Sequence, residues 1–401
     1  MKPTEKEVNE LLTRGISAVY PSKDSLKEAL LSGKRLSFYL GADPTGPELH
    51  LGHSTNLILI EKLRRLGHKT IVLFGDFTAK IGDPTGKENT RRQMTEKEIK
   101  TNIKTWKSQI SRIVSFEDKE NPAEILLNSK WLSKLKFTDV LELSSHVTVK
   151  QMIERDMFEE RVKAGKPIYL HEFFYPLMQG YDSVAMDIDG EIGGNDQTFN
   201  MLMGRMLLRQ YKNKEKFVIT TTLLVNQKTG KKLMNKSEGD YIPLTAGFED
   251  MYGKVMALPD EVILQVLTDC TFLPLEEIEK VKIMLHEGSN PKEVKMRLGR
   301  EIVTLYHDAK KAAAAEKKFT EVFKKGGMPD EVRIVKLKKE EMLADILVRE
   351  KLVSSKTEFR RLLSNGAISI NGETANENSS LQITKDADIK IGKHRFLKIK
   401  S

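Results

Sequence analysis

The stretch that most limits what this chain can fold into is residues 36–74. Leu36 to Leu40 is a short apolar strand, and the chain then turns through Gly41, Asp43, Pro44, Thr45 and Gly46. Two histidines, His50 and His53, follow just ahead of an apolar helical run (Leu57, Ile58, Ile60, Leu63, Leu66) that Gly67 closes. Thr70 to Phe74 (TIVLF) is a continuous apolar run of strand length, the mark of a parallel strand buried on both faces. Strand, helix and strand within about 40 residues make a βαβ unit, and ligands bind at the carboxyl ends of such strands. The histidine loop and the next loop, Gly75 to Lys87, are therefore expected to open on one site. A glycine-bearing loop ahead of a helix presents backbone N–H groups and a positive helix end to phosphate. Gly52, between the histidines, leaves room for a flat base or ribose against the backbone.

The second loop, GDFTAKIGDPTGK, is not a Walker A loop: its spacing is one residue short and no Ser or Thr follows Lys87. Asp83, at a strand end, can hold an ammonium group, and Lys87 and Arg91 follow on a basic segment. Leu170 to Asp182 reads as a helix that carries Tyr175, Gln179 and Asp182 at i, i+4 and i+7. A Gln and an Asp in so apolar a helix need partners if buried. Gly193 and Gly194 precede Asn195, Asp196 and Gln197 in a further strand-to-helix loop, and Phe217 to Leu224 reads as the last strand of this region. It runs into Gly230, Lys231, Lys232, Leu233, Met234, Asn235, Lys236 and Ser237.

At 401 residues the chain is long for one core, so several domains are expected. The boundaries read as an α/β domain of doubly wound parallel-sheet type over 1–228, with a mostly helical insertion at roughly 95–165. An α-helical domain follows over 229–325, then a Gly-Gly/Pro linker over 326–339 and a small α+β unit over 340–401. Residues 5–15 and 24–32 read as amphipathic helices. One cysteine, Cys270, excludes a disulfide framework and a cysteine-based zinc site. No apolar core of a signal peptide stands at the start, no window reaches the roughly 18 apolar residues of a membrane span, and a cytoplasmic location is expected. A net charge of +9, uneven along the chain, favours a polyanionic partner.

His50-Leu51-Gly52-His53 resembles the HIGH signature of class I aminoacyl-tRNA synthetases. The longer string from Tyr39 through Asp43-Pro44-Thr45 to His53 is similar to the tyrosyl members of that class. Met234 to Ser237 resembles their KMSKS loop, with Asn235 in place of Ser and Leu233 where the first Lys belongs; Lys232 can substitute for it by a small shift. The C-terminal unit, with Lys356, Arg360 and Arg361 on one helix and Lys393 and Arg395 near the end, is similar to the S4-like RNA-binding module.

The resemblance implies a Rossmann-like catalytic domain, ATP-dependent formation of tyrosyl-adenylate, and transfer of tyrosine to tRNA(Tyr). ATP would arrive with Mg²⁺ as a substrate complex with no tightly bound protein metal, and the insertion would support a homodimer. Tyr39 and Asp182 would hold the phenol. Thr78, Asp83, Tyr175 and Gln179 would surround the amino group, with Gln197 near the carboxylate. Asp43, Thr45, His50, Gly52, His53, Gly194, Asp196 and Lys236 would hold ATP, and Lys87 and Arg91 would grip its phosphates. Glu191 stands where a Gln is common. A tryptophanyl enzyme and a non-catalytic RNA-binding relative are the alternatives.

Overall fold

The computed structural model describes residues 2–83, 94–154, 156–226, 229–230, 232–234, 241–324, 333–337, 341–350, 352–376, 381–392 and 395–400. Lys87, Arg91, Lys236 and Lys393 lie outside the described residues. The chain divides into two compact units, Met1–Ala312 and Ala313–Ser401.

The first unit is built on a six-stranded sheet. Its strands are β1 (Ile16–Tyr20), β2 (Ser37–Ala42), β3 (Lys69–Phe74), β4 (Glu124–Leu127), β5 (Gly190–Gly194) and β6 (Phe217–Thr221), in the spatial order β1-β6-β5-β2-β3-β4. All neighbours pair in parallel except β1, which runs antiparallel to β6. The chain winds outward from β2 through β3 to β4, then returns to β5 and β6 on its other side. The strand order thus reverses between β2 and β5, the point where a parallel sheet leaves a crevice for ligands at its carboxyl edge.

Two strands went unforeseen. The segment from Ile16 to Tyr20 lies between two amphipathic helices and offers only five residues of mixed polarity. Glu124 to Leu127 lies inside residues 95–165, read as mostly helical; instead it continues the sheet beyond β3.

Helices α1 (Glu5–Thr13), α2 (Lys23–Leu31), α3 (Ser54–Arg65) and α4 (Glu96–Ile110) pack around the early strands. A Thr side chain caps α1 and α4, each inside a capping box. Four short helices follow: α5 (Ser129–Leu132), α6 (Phe137–Ser145), α7 (Val149–Ile153) and α8 (Asp156–Lys163). The long α9 (Leu170–Met186) leads into β5, and α10 (Thr198–Lys212) lies against it. From Phe248 the unit is helical: α11 (Phe248–Met256), α12 (Ile263–Cys270), α13 (Leu275–His286) and α14 (Pro291–Tyr306). The division between the units falls within α15 (Ala309–Lys324). Among the described residues, no helix is long and apolar enough to cross a membrane.

Under β1, Asp269 of α12 is buried and accepts the Thr222 hydroxyl at 2.8 Å. Burial pushes its carboxyl up to about 6, against the hydrogen bonds of Thr222 and Gln265 and the charge of Arg14. A raised carboxyl contributes stability that is full below its unfolded value, near 4, and is lost as pH rises through about 6. A displacement of about two units corresponds to about 3 kcal/mol. Asp269→Asn should therefore flatten the stability profile between pH 4 and 7.5 by about that amount. Urea unfolding at both pH values measures it; an identical profile in the variant would contradict the assignment.

The second unit holds β7 (Ile334–Lys336), β8 (Glu341–Met342), α16 (Leu343–Arg349), α17 (Lys356–Ser364), β9 (Ile368–Ile370), β10 (Glu373–Thr374), β11 (Gln382–Ile383), β12 (Ala387–Ile391) and β13 (Arg395–Lys400). Five strands form a sheet in the order β10-β9-β12-β13-β7, and Phe359 and Leu363 of α17 join its buried core.

Candidate active site

At the crevice between β2 and β5, the ends of β2, β3 and β5 and one side of α9 enclose a cleft of ≈ 580 Å³. Tyr39, Asp43, Thr45, His53, Thr78, Asp83, Tyr175, Gln179, Asp182 and Gln197 all line it. Residues as far apart in the chain as Tyr39 and Gln197 are thereby brought to one cleft. His50, Gly52, Gly194 and Asp196 belong to the same loops but are not on its wall.

The most buried part is polar. Tyr39 is 0% exposed and Asp182 3%. Asp182 accepts Trp131 Nε1–H at 2.7 Å and Asn128 Nδ2–H at 3.3 Å. Burial pushes this carboxyl well up, while the two donors oppose the shift. Asn128 also donates to Thr78 Oγ1 at 3.1 Å, and Thr78 donates to Asp43 Oδ1 at 2.7 Å. Tyr175 OH donates to the other Asp43 oxygen at 3.0 Å, and Gln197 Nε2 donates to Asp83 Oδ2 at 2.7 Å. Burial first, then the charges of Asp43 and Asp83, raises the Tyr175 phenol well above its usual range. Asp43 thus ties the histidine loop to Thr78 and to Tyr175 of α9. Glu191, unassigned by the sequence, accepts Gln179 Nε2 at 3.0 Å and pairs with Lys216.

Five carboxyl side chains (Asp43, Glu48, Asp83, Asp182, Glu191) line the cleft, and no lysine or arginine does among the described residues. Such a wall favours a ligand with an ammonium group.

The histidine loop is held by its own backbone. His50 Nδ1 accepts Gly52 N–H at 3.2 Å, which assigns the proton of the neutral ring to Nε2 and makes that atom a donor. His53 Nδ1 lies 3.1 Å from the His50 amide nitrogen and 3.2 Å from its carbonyl oxygen. The two rings are 4.0 Å apart. The loop is also strapped to the segment that follows residues 235–240. Leu51 N–H donates to Ile242 O at 2.9 Å, Leu244 N–H donates to Leu49 O at 2.9 Å, and Thr245 Oγ1 donates to Glu48 at 2.7 Å. Residues 242–245 are thereby fixed beside the histidines.

Several of these residues were not foreseen. None of the candidate site residues lies within 95–165, yet Asn128 and Trp131 hold Asp182. From α4, Asn102 donates to Pro44 O at 2.8 Å, Trp106 to Gly46 O at 2.7 Å and Gln109 to Pro47 O at 2.9 Å, bracing the loop from outside. The only available signal was polar and indole side chains at i, i+4 and i+7 on α4, a pattern an ordinary amphipathic helix also shows.

Gly75, at the end of β3, has no room for a side chain: a Cβ would overlap the Asp43 carboxylate and the Thr78 hydroxyl. Gly75→Ala should cost about 1–3 kcal/mol of stability by overpacking. It should also weaken ligand binding in the cleft by separating Asp43 from Thr78. Thermal melts and calorimetric titration test both, and an unchanged melting temperature with unchanged binding would show that the pair yields freely.

In the C-terminal unit Arg360 and Arg361 are exposed on α17. Lys356 pairs with Asp345 at 2.5 Å, and Arg395 is held by the Leu352 carbonyl and by Glu358 at 3.3 Å.

Residues 31–324 match the family model of class I tRNA synthetases (W and Y), and residues 321–397 match the tyrosine–tRNA ligase SYY-like C-terminal domain. A tyrosine–tRNA ligase of Moorella thermoacetica is 41% identical over 395 residues, 97% of this chain and 94% of the relative. That of Carboxydothermus hydrogenoformans is 42% identical over 404 residues, 97% of each chain. Among solved structures, a C-terminally truncated mitochondrial tyrosyl-tRNA synthetase of Aspergillus nidulans superposes with a TM-score of 0.70 at 24% identity, covering 80% of this chain and 95% of that one. The tyrosyl-tRNA synthetase of Archaeoglobus fulgidus complexed with L-tyrosine gives 0.61 at 20% identity, covering 77% and 99%. At those identities the two superpositions speak for the fold alone.

Proposed function

This chain belongs to the class I tRNA synthetases of the tryptophan and tyrosine type, and on that premise we propose how its cleft selects tyrosine and activates it. Its activity is the ATP-dependent ligation of tyrosine to tRNA, as in relatives 41% and 42% identical over nearly the whole chain. Buried Asp182, held by Trp131 and Asn128 beside the Tyr39 hydroxyl, is the observation that carries the assignment of the substrate side chain.

In our reading the phenol O–H donates to Asp182 while Tyr39 contacts the same oxygen. The substrate ammonium sits among Asp83, Tyr175, Gln179 and Thr78, and Gln197 faces its carboxylate. That carboxylate is already an anion at pH 7, so its attack on the α-phosphate requires no general base. Catalysis then consists of in-line positioning and stabilisation of charge. His50 and His53, with Asp43, Thr45, Gly52, Gly194 and Asp196, would hold ATP, brought in as its Mg²⁺ complex. Lys87, Arg91 and Lys236 are the cations we assign to the departing pyrophosphate.

Arg360 and Arg361 of α17 support RNA binding by the C-terminal unit through phosphates; Lys356, Lys393 and Arg395 complete that assignment. Exposed Phe137, Leu141, Val149 and Leu170, up to 76% accessible, suit an interface between two copies of the chain. Translation of cytoplasmic messages is the setting we assign. The domain boundaries we favour are those of the sequence, 1–228, 229–325 and 340–401.

The experiment is ATP–pyrophosphate exchange with each amino acid in turn, followed by charging of tRNA. Tyrosine alone should support exchange. Exchange with tryptophan would reassign the side-chain pocket, and exchange with no amino acid would remove the catalytic reading.

A further inference from the structure

Behind the pocket lies a buried cluster that none of these steps uses. Lys216, just before β6, is 0% exposed, as is Ser183 of α9, and Glu191 of β5 is 1% exposed. The Lys216 ammonium donates to Ser183 Oγ at 2.9 Å and to Glu191 Oε2. Ser183 Oγ in turn lies 3.1 Å from Tyr39 OH, and Glu191 Oε1 accepts Gln179 Nε2 at 3.0 Å. The ammonium is also 5.9 Å from the centre of the Tyr39 ring, within cation–π range. One buried cation is therefore connected to two side chains that face the cleft, Tyr39 and Gln179.

The space for that ammonium is specifically made. A Cβ on Gly204 of α10 would stand 2.5 Å from Lys216 Nζ and 2.7 Å from Ser183 Oγ. On the facing helix, a Cβ on Gly180 would stand 2.7 Å from Leu207 Cδ1 and 3.3 Å from the Gly204 nitrogen. Two helices thus meet through two glycines, and the lysine head occupies the room left at one of them. Burying a lysine with a glutamate is a poor source of stability, because desolvation offsets their attraction. Its value is better sought in what it orients.

The proton inventory supplies an answer. An ammonium only donates, so Ser183 Oγ accepts from Lys216. The Ser183 proton is then directed to its other neighbour, the Tyr39 oxygen. Tyr39's own O–H is left to donate, and Glu191, the carboxylate within its reach, has its charge offset by Lys216 and so competes less for that proton. A phenol bound between Asp182 and Tyr39 needs this polarity: it donates to the carboxylate and must accept from the tyrosine.

The geometry points to Lys216 as a positioning residue for tyrosine recognition, acting through Ser183 to make the Tyr39 hydroxyl a donor and through Glu191 to hold Gln179. The inference rests on the assignment of Tyr39 and Asp182 to the substrate phenol.

Pyrophosphate exchange with tyrosine and with phenylalanine tests it in the full-length protein. Lys216→Met should lower kcat/KM for tyrosine about tenfold more than for phenylalanine, mostly through KM, since phenylalanine has no phenol to be oriented and shares only the loss at Gln179. Ser183→Ala, which keeps the charge pair, should shift the ratio in the same direction with a smaller loss of stability than Lys216→Met, and it decides the matter if Lys216→Met does not fold. Parallel losses for both amino acids, or an unchanged ratio in Ser183→Ala, would overturn the proposal. Tyr39→Phe separates the two layers. If it collapses the ratio while the Ser183 and Lys216 variants do not, only the relay is wrong; if it too leaves the ratio unchanged, the phenol assignment fails.

Discussion

Asp182→Ala should raise the KM for tyrosine by at least about 100-fold and erase most of the preference for tyrosine over phenylalanine. A site that hydrogen-bonds a substrate hydroxyl rejects the analogue lacking it by roughly 10⁴–10⁵, a magnitude already measured for tyrosyl-tRNA synthetases and not one deduced from this pocket. The reasoning from structure concerns which group carries it. Asp182 is buried, and both of its oxygens already accept N–H groups, from Trp131 and Asn128. Truncation removes the phenol's acceptor and leaves two buried donors without one, each costing about 1–3 kcal/mol. Phenylalanine, which never used the acceptor, loses far less. Exchange kinetics with both amino acids measure the ratio; its survival in the variant would place phenol recognition elsewhere. Asp182→Asn is the milder companion, since an amide oxygen can still accept.

The second large effect is expected at the other end of the cleft. His50→Ala should lower kcat for adenylate formation by about 10²–10³, or roughly 3–4 kcal/mol, by analogy with the loss of one preorganised donor to a developing charge. The tautomer set by Gly52 N–H leaves Nε2–H as the donor, so His50→Gln, whose amide nitrogen has similar reach, should recover part of the rate. KM for tyrosine should stay within about threefold, because no residue of the phenol end touches His50. Single-turnover formation of the adenylate reads both quantities. A variant as fast as the parent would show that the histidine only closes the turn.

What the sequence made legible follows from the physics of each segment. Buried parallel strands announce themselves as apolar runs: TIVLF lies in the sheet as expected, and of the strand read over Phe217 to Leu224 the sheet takes Phe217–Thr221. Tyr175, Gln179 and Asp182 could be placed together because polar groups inside an apolar helix have to answer to something. Edge strands give no such signal: β1 and β4 pair on one side only and tolerate Ser, Glu and half-exposed positions. Lys216 was invisible for a different reason. It stands in Lys212-Asn213-Lys214-Glu215-Lys216, a run that reads as solvated charge, and only its neighbours in space reveal that one of the three lysines points inward. Asn128 and Trp131 were hidden by distance, since nothing local ties them to Asp182 more than 50 positions later.

The missing side chain at position 204 has a consequence for the order in which this site can change. A chain with glycine at 204 and a short residue at 216 carries a void, on the order of 1 kcal/mol per missing methyl group, and a Glu191 that stays buried by binding a proton. A chain with alanine at 204 and lysine at 216 carries an overlap with the buried ammonium and with Ser183 Oγ, which must shift to relieve it. Substitutions can therefore enter through the void but not through the overlap: glycine must come before lysine, and lysine must leave before glycine is free to go. The two positions, twelve residues apart and on different elements (216 − 204 = 12), form a ratchet in sequence space.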